Sequence, residues 1–258
     1  METTDGAHQR GRTVAAAGGW LAAAGGWLTA GGAYPPDARD LRTFGILGLR
    51  MPARAAFVVI AVTLLVMLDY HGRLDALLGR GDLTMDAVGM RSRAVGRFVL
   101  EGVVPMLLVL LVLRDRPARY GVRLGDARAG AAIALVGCLL MTPVVAVMAT
   151  QPDFRAFYGQ YAAAPVDVAI TSALEVIPAE FFFRGFLMFA LLRAIGPLGV
   201  VVATLPFAFV HLGKPELETL STVFGGLAYG WLNWRTGSVL WSGLAHTYIL
   251  SLAVVLSG

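Results

Sequence analysis

Two glutamates and an arginine lie inside a long apolar part of the sequence, in the stretch EVIPAEFFFRGF from Glu175 to Phe186. A charged side chain at the centre of a membrane helix costs roughly 2.5–3.5 kcal/mol on insertion scales, so it needs a partner or a water-filled cavity. Glu180 and Arg184 are spaced to share one helical face, with the acid N-terminal to the base. Glu175 lies on the same general side of the helix. We interpret the three charges as one wall of a polar site.

Two histidines in later apolar segments extend this set. His211 lies in FAFVHLGKP, and His246 lies in SGLAHTYI without a charged neighbour in sequence. Imidazole takes up or donates a proton near neutral pH and also binds metals, so it is a versatile partner for a buried carboxylate. A single histidine in such a segment is also explained by a hydrogen bond between helices. The occurrence of all these groups in the last four apolar segments favours a functional site.

Proline and glycine indicate how the helices that carry these groups are shaped. Pro178 removes one backbone hydrogen bond from its helix, which predicts a kink just before Glu180. Gly185 allows a neighbouring helix to approach closely. Gly226 and Gly230 form a small-xxx-small pair, which predicts a second close helix contact.

Composition defines the class of protein that holds this site. The chain is 57% hydrophobic and 15% charged, whereas soluble domains have about 25% charged residues. Because a single core of this size cannot bury so much apolar surface, we predict an integral membrane protein. The net charge of +4 suits anionic lipid headgroups. The sequence shows no aromatic-rich basic stripe or nucleic-acid motif, so we expect the lipid bilayer as a partner and no nucleic acid.

Apolar runs recur along residues 51–258 and predict an all-α, polytopic bundle of about seven transmembrane helices. Interruptions by proline or glycine are tolerated because neighbouring helices satisfy the freed backbone groups. The predicted spans are Ala55–Tyr70, Gly96–Leu113, Ala129–Thr150, Val166–Leu192, Leu198–Leu212, Leu220–Trp234 and Val239–Leu256. Arginines before the first span and after the second favour an N-terminus in the cytoplasm.

Residues 1–50 differ from the rest of the chain. The heptapeptide AAAGGWL occurs twice in tandem, at Ala15–Leu21 and Ala22–Leu28, and a glycine-rich tail follows. The repeat lacks large apolar residues at coiled-coil spacing. We predict a low-complexity, Ala/Gly-rich leader that is poorly ordered or loosely associated with the membrane.

The polar residues and their order resemble the CPBP family of membrane proteins, named for CAAX proteases and bacteriocin-processing enzymes. That family carries Glu-Glu-x-x-x-Arg on one helix, Phe-x-x-x-His on a second and His-x-x-x-Asn on a third. Here the motifs read AEFFFRG, FAFVH with Phe207 and His211, and HTYIL with His246. HLGKPELET is similar to a subgroup with x-Glu-Phe-Phe-Phe-Arg-Gly. The resemblance extends over about Val166–Leu250 and implies a catalytic core at 166–258.

The resemblance implies an intramembrane endopeptidase of glutamic type in the bacterial cytoplasmic membrane, acting on a peptide or a membrane protein. A glutamate and His211 would activate a water molecule, and His246 would stabilise the oxyanion. Glu180 and Arg184 match the second glutamate and the arginine and would hold the site together. This mechanism needs no cofactor.

Two positions depart from the family pattern. Ala179 replaces the first glutamate, which would act as the base, and Leu250 replaces the asparagine. Glu175 lies one turn before Ala179 and is a candidate for the missing carboxylate, displaced by about 5–6 Å along the helix axis. Glu180 would serve instead if the helix kink rotates it inward.

Three other interpretations stay open on the sequence alone. Zinc bound by Glu180, His211 and His246 would make the protein a metallopeptidase. A family member that has lost catalysis would act as a membrane scaffold or immunity-type protein, which Ala179 and Leu250 favour. A small proton-coupled transporter would use the charged cluster as a relay, but the two halves show no convincing repeat.

Overall fold

A computed structural model describes residues 25–77, 79 and 84–258. The first copy of the predicted repeat and residues 22–24 of the second lie outside the described residues. The protein is an all-α membrane protein with one short hairpin, in which β1 (Thr43–Ile46) pairs antiparallel with β2 (Leu49–Pro52). The helices are α1 (Ala53–Tyr70), α2 (Arg73–Leu77), α3 (Ala87–Val112), α4 (Ala127–Met148), α5 (Pro152–Tyr158), α6 (165–195), α7 (Leu198–Phe209), α8 (Glu216–Thr236) and α9 (Leu240–Ser257).

The predicted helical membrane fold is confirmed, and each of the seven predicted spans coincides largely with one helix. Helices α1, α3, α4 and α9 are long and apolar enough to cross a membrane, and α7 is a shorter apolar helix. Helices α6 and α8 carry several charged residues, which lower their hydropathy. That all seven helices cross the bilayer stays a prediction.

Two helix boundaries differ from the predicted ones for local reasons. Helix α3 begins at Ala87, well before the predicted Gly96, because the side chain of Asp86 caps it by accepting a hydrogen bond of 2.8 Å from the backbone N–H of Gly89. Because the first turns of α3 are polar, hydropathy alone did not predict this extension. Helix α7 ends at Phe209, so His211 lies in the turn that follows.

Helices α3 and α6 change from α to π geometry within their length. π-Helical turns occupy Phe98–Val103, Leu108–Val112 and Phe181–Met188. Pro178 does not end α6, whose α-helical part continues to Glu180 before the wider turn begins. π turns are rare and frequent at functional sites. Here one of them carries Glu101 and another carries Arg184.

Helix α6 lies at the centre of the bundle. It packs against α1, α3, α7 and α9, and every residue of its π-helical part, Phe181–Met188, is buried. A helix that is apolar on all sides is stable when it is enclosed by others. The central position of this part of α6 therefore explains why Glu180 and Arg184 are removed from water.

Glycines allow α8 to pack closely on α7, as predicted. A Cβ atom on Gly226 would lie 2.6 Å from Thr204 Cγ2, and one on Gly230 would lie 2.7 Å from Val200 Cγ1. Gly185 in α6 is equally restricted, because a Cβ there would lie 2.7 Å from the carbonyl oxygen of Tyr120. These contacts fix the helices that carry the polar side chains.

Part of the predicted leader is attached to the bundle. Tyr34 Oη donates a hydrogen bond of 2.7 Å to the carbonyl of Trp234, and Arg235 Nε donates one of 2.8 Å to the carbonyl of Trp27. A network of ion pairs, which we term the arginine–aspartate cluster, joins the leader to the ends of α1, α3 and α6. Its members are Asp37, Asp40, Arg54, Asp115, Arg119 and Arg193. The division into a leader and a bundle stays a prediction.

Candidate active site

A cavity of about 540 Å³ opens between α3, α4, α6, α8 and α9. Most of its wall is apolar, and polar side chains face it at a few positions. Of the predicted site residues, Glu175, His211 and His246 line it. An apolar cavity with a few convergent polar groups is the usual form of a small-molecule or peptide site.

Glu180 lies behind His246 and has no exposed surface. Its Oε1 atom is 2.9 Å from His246 Nδ1 and 3.2 Å from Arg184 Nη1. With a guanidinium as its other neighbour, we treat Glu180 as a carboxylate, which accepts the Nδ1–H of His246. In the neutral form of that ring, Nε2 is then the unprotonated nitrogen. The structure thus joins Glu180, Arg184 and His246 into one group.

Arg184 is held by aromatic rings as well as by Glu180. Its guanidinium carbon lies 3.6 Å from the ring centroid of Phe207 and 5.7 Å from that of Tyr229. The side chain is 1% exposed, so these ring faces replace part of the hydration that the charge has lost. Arg184 Nη1 is close enough to Glu180 Oε1 for an ion pair, but the two groups are not aligned for a hydrogen bond. Arg184 therefore acts as a fixed, buried counter-charge.

His211 is oriented by the backbone of α7. Its Nδ1 atom lies 2.7 Å from the carbonyl oxygen of Phe207, which can only accept, so Nδ1 carries the proton. Nε2 of the neutral ring is therefore free to accept a proton or a hydrogen bond. The Phe207 ring lies 4.5 Å from the ring of His211 and 5.9 Å from that of His246, measured between centroids. Phe207 thus separates and positions the two histidines.

Glu175 lines the cavity but is engaged by a different partner. It forms an ion pair with Arg97 of α3, and Arg97 Nε also lies 3.4 Å from Asp69 Oδ2 at the end of α1. The structure therefore places Glu175 in a second charged group and does not join it to Glu180 or to the histidines. Its predicted role as the missing carboxylate has no hydrogen bond to support it.

Both positions that depart from the family pattern face the cavity. Ala179 and Leu250 contribute apolar side chains to its wall. The cavity wall is thus apolar at both positions where the family motif has a polar side chain.

Sequence reasoning missed several polar residues around the cavity. The ring of Tyr229 stacks on His246, with centroids 5.0 Å apart and an angle of 24°. Tyr229 lies between Gly226 and Gly230 of the packing pattern, which gave no signal for a site. Glu101 was missed although it is an acid inside the predicted span Gly96–Leu113. An acid inside an apolar segment was the same signal that identified Glu175.

A further group of hydrogen bonds connects α5 to the start of α8 at the wall of the cavity. Glu218 Oε1 accepts 2.6 Å from Tyr158 Oη and 3.0 Å from Lys214 Nζ. Burial, together with the neighbouring Glu218 carboxylate, raises the pKa of Tyr158 well above its usual range. The phenol therefore stays protonated and donates to Glu218, which closes the cavity wall with a fixed polar contact.

Within the described ranges, no group of three or more His, Cys, Asp or Glu side chains is arranged to hold a metal ion. Glu180, His211 and His246, the predicted zinc set, do not form such a group. The expectation that no cofactor is needed stays a prediction.

Comparison with known proteins connects the helices that carry this site to one family. Residues 162–251 match the family described as Rce1-like, type II CAAX prenyl endopeptidase Rce1-like. This segment includes α6, α7, α8 and most of α9, and therefore Glu180, Arg184, His211 and His246. Helices α1–α5 lie outside it. Neither the curated proteins nor the solved structures gave a match. The chain is thus similar to CAAX prenyl endopeptidases over the segment in which the resemblance was expected.

Proposed function

We propose that this protein is an intramembrane endopeptidase of the CAAX protease and bacteriocin-processing type, acting on a peptide or membrane-protein substrate in the bacterial cytoplasmic membrane. The observation that carries the proposal is the hydrogen bond between Glu180 and His246 beside an apolar cavity that His211 also lines. The family match over residues 162–251 supports the same class of reaction.

Each histidine has a distinct part in the proposed reaction. His211 would bind the attacking water through Nε2, while a carboxylate in the cavity takes the proton. His246 would stabilise the oxyanion, which requires a proton on Nε2 as well as on Nδ1. The carboxylate of Glu180 on Nδ1 is a suitable counter-charge for that imidazolium. Glu180 and Arg184 act through His246 and position it.

The apolar wall of the cavity contributes to the reaction in two ways. It offers a surface for apolar parts of a substrate, since the cavity is lined mainly by aliphatic and aromatic side chains. It also keeps bulk water away from the histidines. Interactions between charges and dipoles are stronger in such an environment than in water.

The proposal is tested with purified protein in proteoliposomes and internally quenched peptides that end in a CAAX sequence, with and without a farnesyl group. We expect His211→Ala and His246→Ala to lower the cleavage rate by about 10²–10⁴-fold. His71→Ala is the matched control, because His71 is an exposed histidine after α1. Equal cleavage by wild type and by both site variants would overturn the proposal.

A metal-free reaction has its own test. Dialysis against EDTA or 1,10-phenanthroline should leave cleavage within about twofold of the untreated protein, because the proposed groups supply the base and the oxyanion contact. Loss of cleavage that added Zn²⁺ restores would favour the zinc set Glu180, His211 and His246 instead.

A catalytically lapsed scaffold is the second candidate function. It is favoured by the apolar side chains of Ala179 and Leu250 at the cavity wall. This candidate predicts that the same peptides bind, as measured by fluorescence anisotropy, and are recovered intact. Cleavage that depends on His246 would exclude it.

A further inference from the structure

Glu101 of α3 faces the cavity as a buried carboxyl group for which the described residues provide no hydrogen-bond partner. The residue is 5% exposed and lines the cavity wall. Its Oε2 atom is buried, and nothing in the described part of the chain forms a hydrogen bond with it. Buried carboxyl groups are normally hydrogen-bonded or paired, because leaving them unsatisfied is costly. An exception at the wall of the cavity that His211 and His246 also line therefore requires an explanation.

Three other carboxylates lie at or near the cavity, and each is already engaged. Glu218 accepts hydrogen bonds from Tyr158 and Lys214. Glu180 has no exposed surface, accepts the Nδ1–H of His246 and contacts Arg184. Glu175 is held by Arg97 in an ion pair. Among the described residues that line the cavity, Glu101 is therefore the carboxyl group without a side-chain hydrogen bond or ion pair, and it is free to bind water there.

The backbone packs the turn that contains Glu101 against the part of α6 where a carboxylate is missing. The adjacent Gly102 packs against α6 so closely that a Cβ atom there would lie 3.1 Å from Pro178 Cβ. Pro178 directly precedes Ala179, which also lines the cavity. The π-helical turn Phe98–Val103 contains Glu101, and π turns change the direction of side chains relative to a regular α-helix. Glu101 thus approaches the site from a second helix.

The charges around Glu101 leave it able to accept a proton. Arg97 is the cation of this region, and it pairs with Glu175 of α6 and with Asp69 of α1. No ion pair within 4.0 Å joins Arg97 to Glu101 among the described residues. One guanidinium therefore faces three carboxyl groups, so the group as a whole can take up a proton without losing all its negative charge.

We propose that Glu101 is a catalytic residue of the endopeptidase and takes the proton from the attacking water, an inference that rests on the proposed function. As one O–H bond of the water breaks, its proton passes to the Glu101 carboxylate. The oxygen forms a bond to the carbonyl carbon of the peptide, and the π electrons move to the carbonyl oxygen. When this oxyanion collapses, the C–N bond breaks and the amine leaves with the proton that Glu101 returns.

This assignment divides the site between two parts of the chain. The histidines and Glu180 come from the segment that matches the family, residues 162–251, whereas Glu101 comes from α3 outside it. Within the matched segment alone, Ala179 would indicate that the catalytic base has been lost. The three-dimensional arrangement supplies the base from another helix.

The first experiment compares Glu101→Gln with the exposed Glu216→Gln in the proteoliposome assay with quenched CAAX peptides. We expect Glu101→Gln to lower kcat by about 10²–10⁴-fold with little change in KM, and Glu216→Gln to leave both unchanged. If wild type cleaves the peptides and Glu101→Gln cleaves them equally well, this inference alone is overturned. Absence of cleavage by the wild type would overturn the proposed function with it.

A second experiment separates chemistry from structure. In Glu101→Ala, added formate should raise the cleavage rate at least tenfold over the rate without formate, because a small carboxylate can occupy the space of the deleted one. A residue needed only for packing would show no rescue. Should the variants fail to accumulate, the wild type is treated with dicyclohexylcarbodiimide and mapped by mass spectrometry. Inactivation should parallel modification of Glu101 and be slowed by the farnesylated peptide, and inactivation without modification of Glu101 would contradict the role.

Discussion

Buried charges occur in two regions of this molecule, and the two regions satisfy them differently. In the arginine–aspartate cluster, the carboxylate of Asp115 is 1% exposed and lies 2.8 Å from Arg54 and 3.4 Å from Arg119. Asp40 lies 2.6 Å from Arg119 and 3.4 Å from Arg193. Each acid there has at least two cations. Around the cavity, Glu180 contacts one guanidinium and one imidazole, and Glu101 has a buried oxygen with no hydrogen-bond partner in the described part of the chain.

This difference distinguishes a structural network from a site. Ion pairs at the ends of α1, α3 and α6 join acids and cations to one another, and their effect is to hold the leader on the bundle. The groups around the cavity are satisfied incompletely and lie beside empty volume, which is what a site that binds water and substrate requires. Substitutions in the arginine–aspartate cluster should therefore lower stability without changing cleavage. Substitutions around the cavity should change cleavage, and some should also lower stability.

The largest effect is expected for Glu180→Ala, because Glu180 belongs to the site and also balances a buried charge. Cleavage should fall by about 10³-fold as His246 loses its partner. The buried Arg184 would lose its counter-ion, which typically costs about 3–5 kcal/mol. Glu180→Gln keeps a hydrogen-bond acceptor and should be less destabilised. Unchanged cleavage in Glu180→Ala would show that this ion pair is structural alone.

The next effect is expected for Asp115→Asn in the arginine–aspartate cluster. Arg54 and Arg119 would face a neutral amide, and we expect a loss of about 3 kcal/mol, at the lower end of the range for breaking a buried pair. The unfolding temperature in detergent should fall by several degrees. The rate of peptide cleavage per folded molecule should stay within about twofold of wild type, and a larger loss would mean that the two regions are coupled. Asp153→Asn, on exposed α5 surface, is the matched control.

How far the sequence predicts these two regions depends on the range of the interactions. Helix positions follow from local hydropathy, so the seven predicted spans fall on helices. The start of α3 at Ala87 depends instead on the cap that Asp86 provides. The intrahelical pair of Glu180 and Arg184 was likewise predictable from spacing. The hydrogen bond from His246 to Glu180 joins α9 to α6, and the ion pair from Asp37 to Arg119 joins the leader to a loop. Such pairs depend on tertiary packing, which periodicity does not contain.

Glu101 and Tyr229 show two kinds of missed site residue. Glu101 interrupts an apolar run in the same way as Glu175 and could have been found from the sequence by the cost of an intramembrane charge. Tyr229 carries no such signal, because a tyrosine between packing glycines is ordinary in a membrane helix. Its relation to the site depends on the stacking of α8 against α9.

A smaller effect is expected for Tyr229→Phe, which tests how much the stacked ring contributes. Phenylalanine keeps the ring on His246 and near Arg184 but removes the hydroxyl group. If the hydroxyl donates to the oxyanion in place of the group absent at Leu250, kcat should fall by about tenfold with KM unchanged. Tyr248→Phe, an exposed tyrosine of α9, is the control. Equal kcat in both variants would limit Tyr229 to packing.

The smallest effect is expected from acid, which should act on the arginine–aspartate cluster. Burial alone would raise the pKa of Asp40, but the backbone N–H of Asp37 and the charges of Arg193 and Arg119 outweigh it and hold the pKa below its usual 3.8. A carboxyl group with a lowered folded pKa adds stability above its unfolded pKa, and this contribution is lost as pH falls through the folded value. The unfolding temperature should therefore be flat between about pH 7 and pH 5 and decrease by a few degrees below about pH 4. Asp40→Asn should be less stable at neutral pH and show a smaller decrease in acid, whereas an equal decrease in the variant would assign the acid sensitivity to other groups.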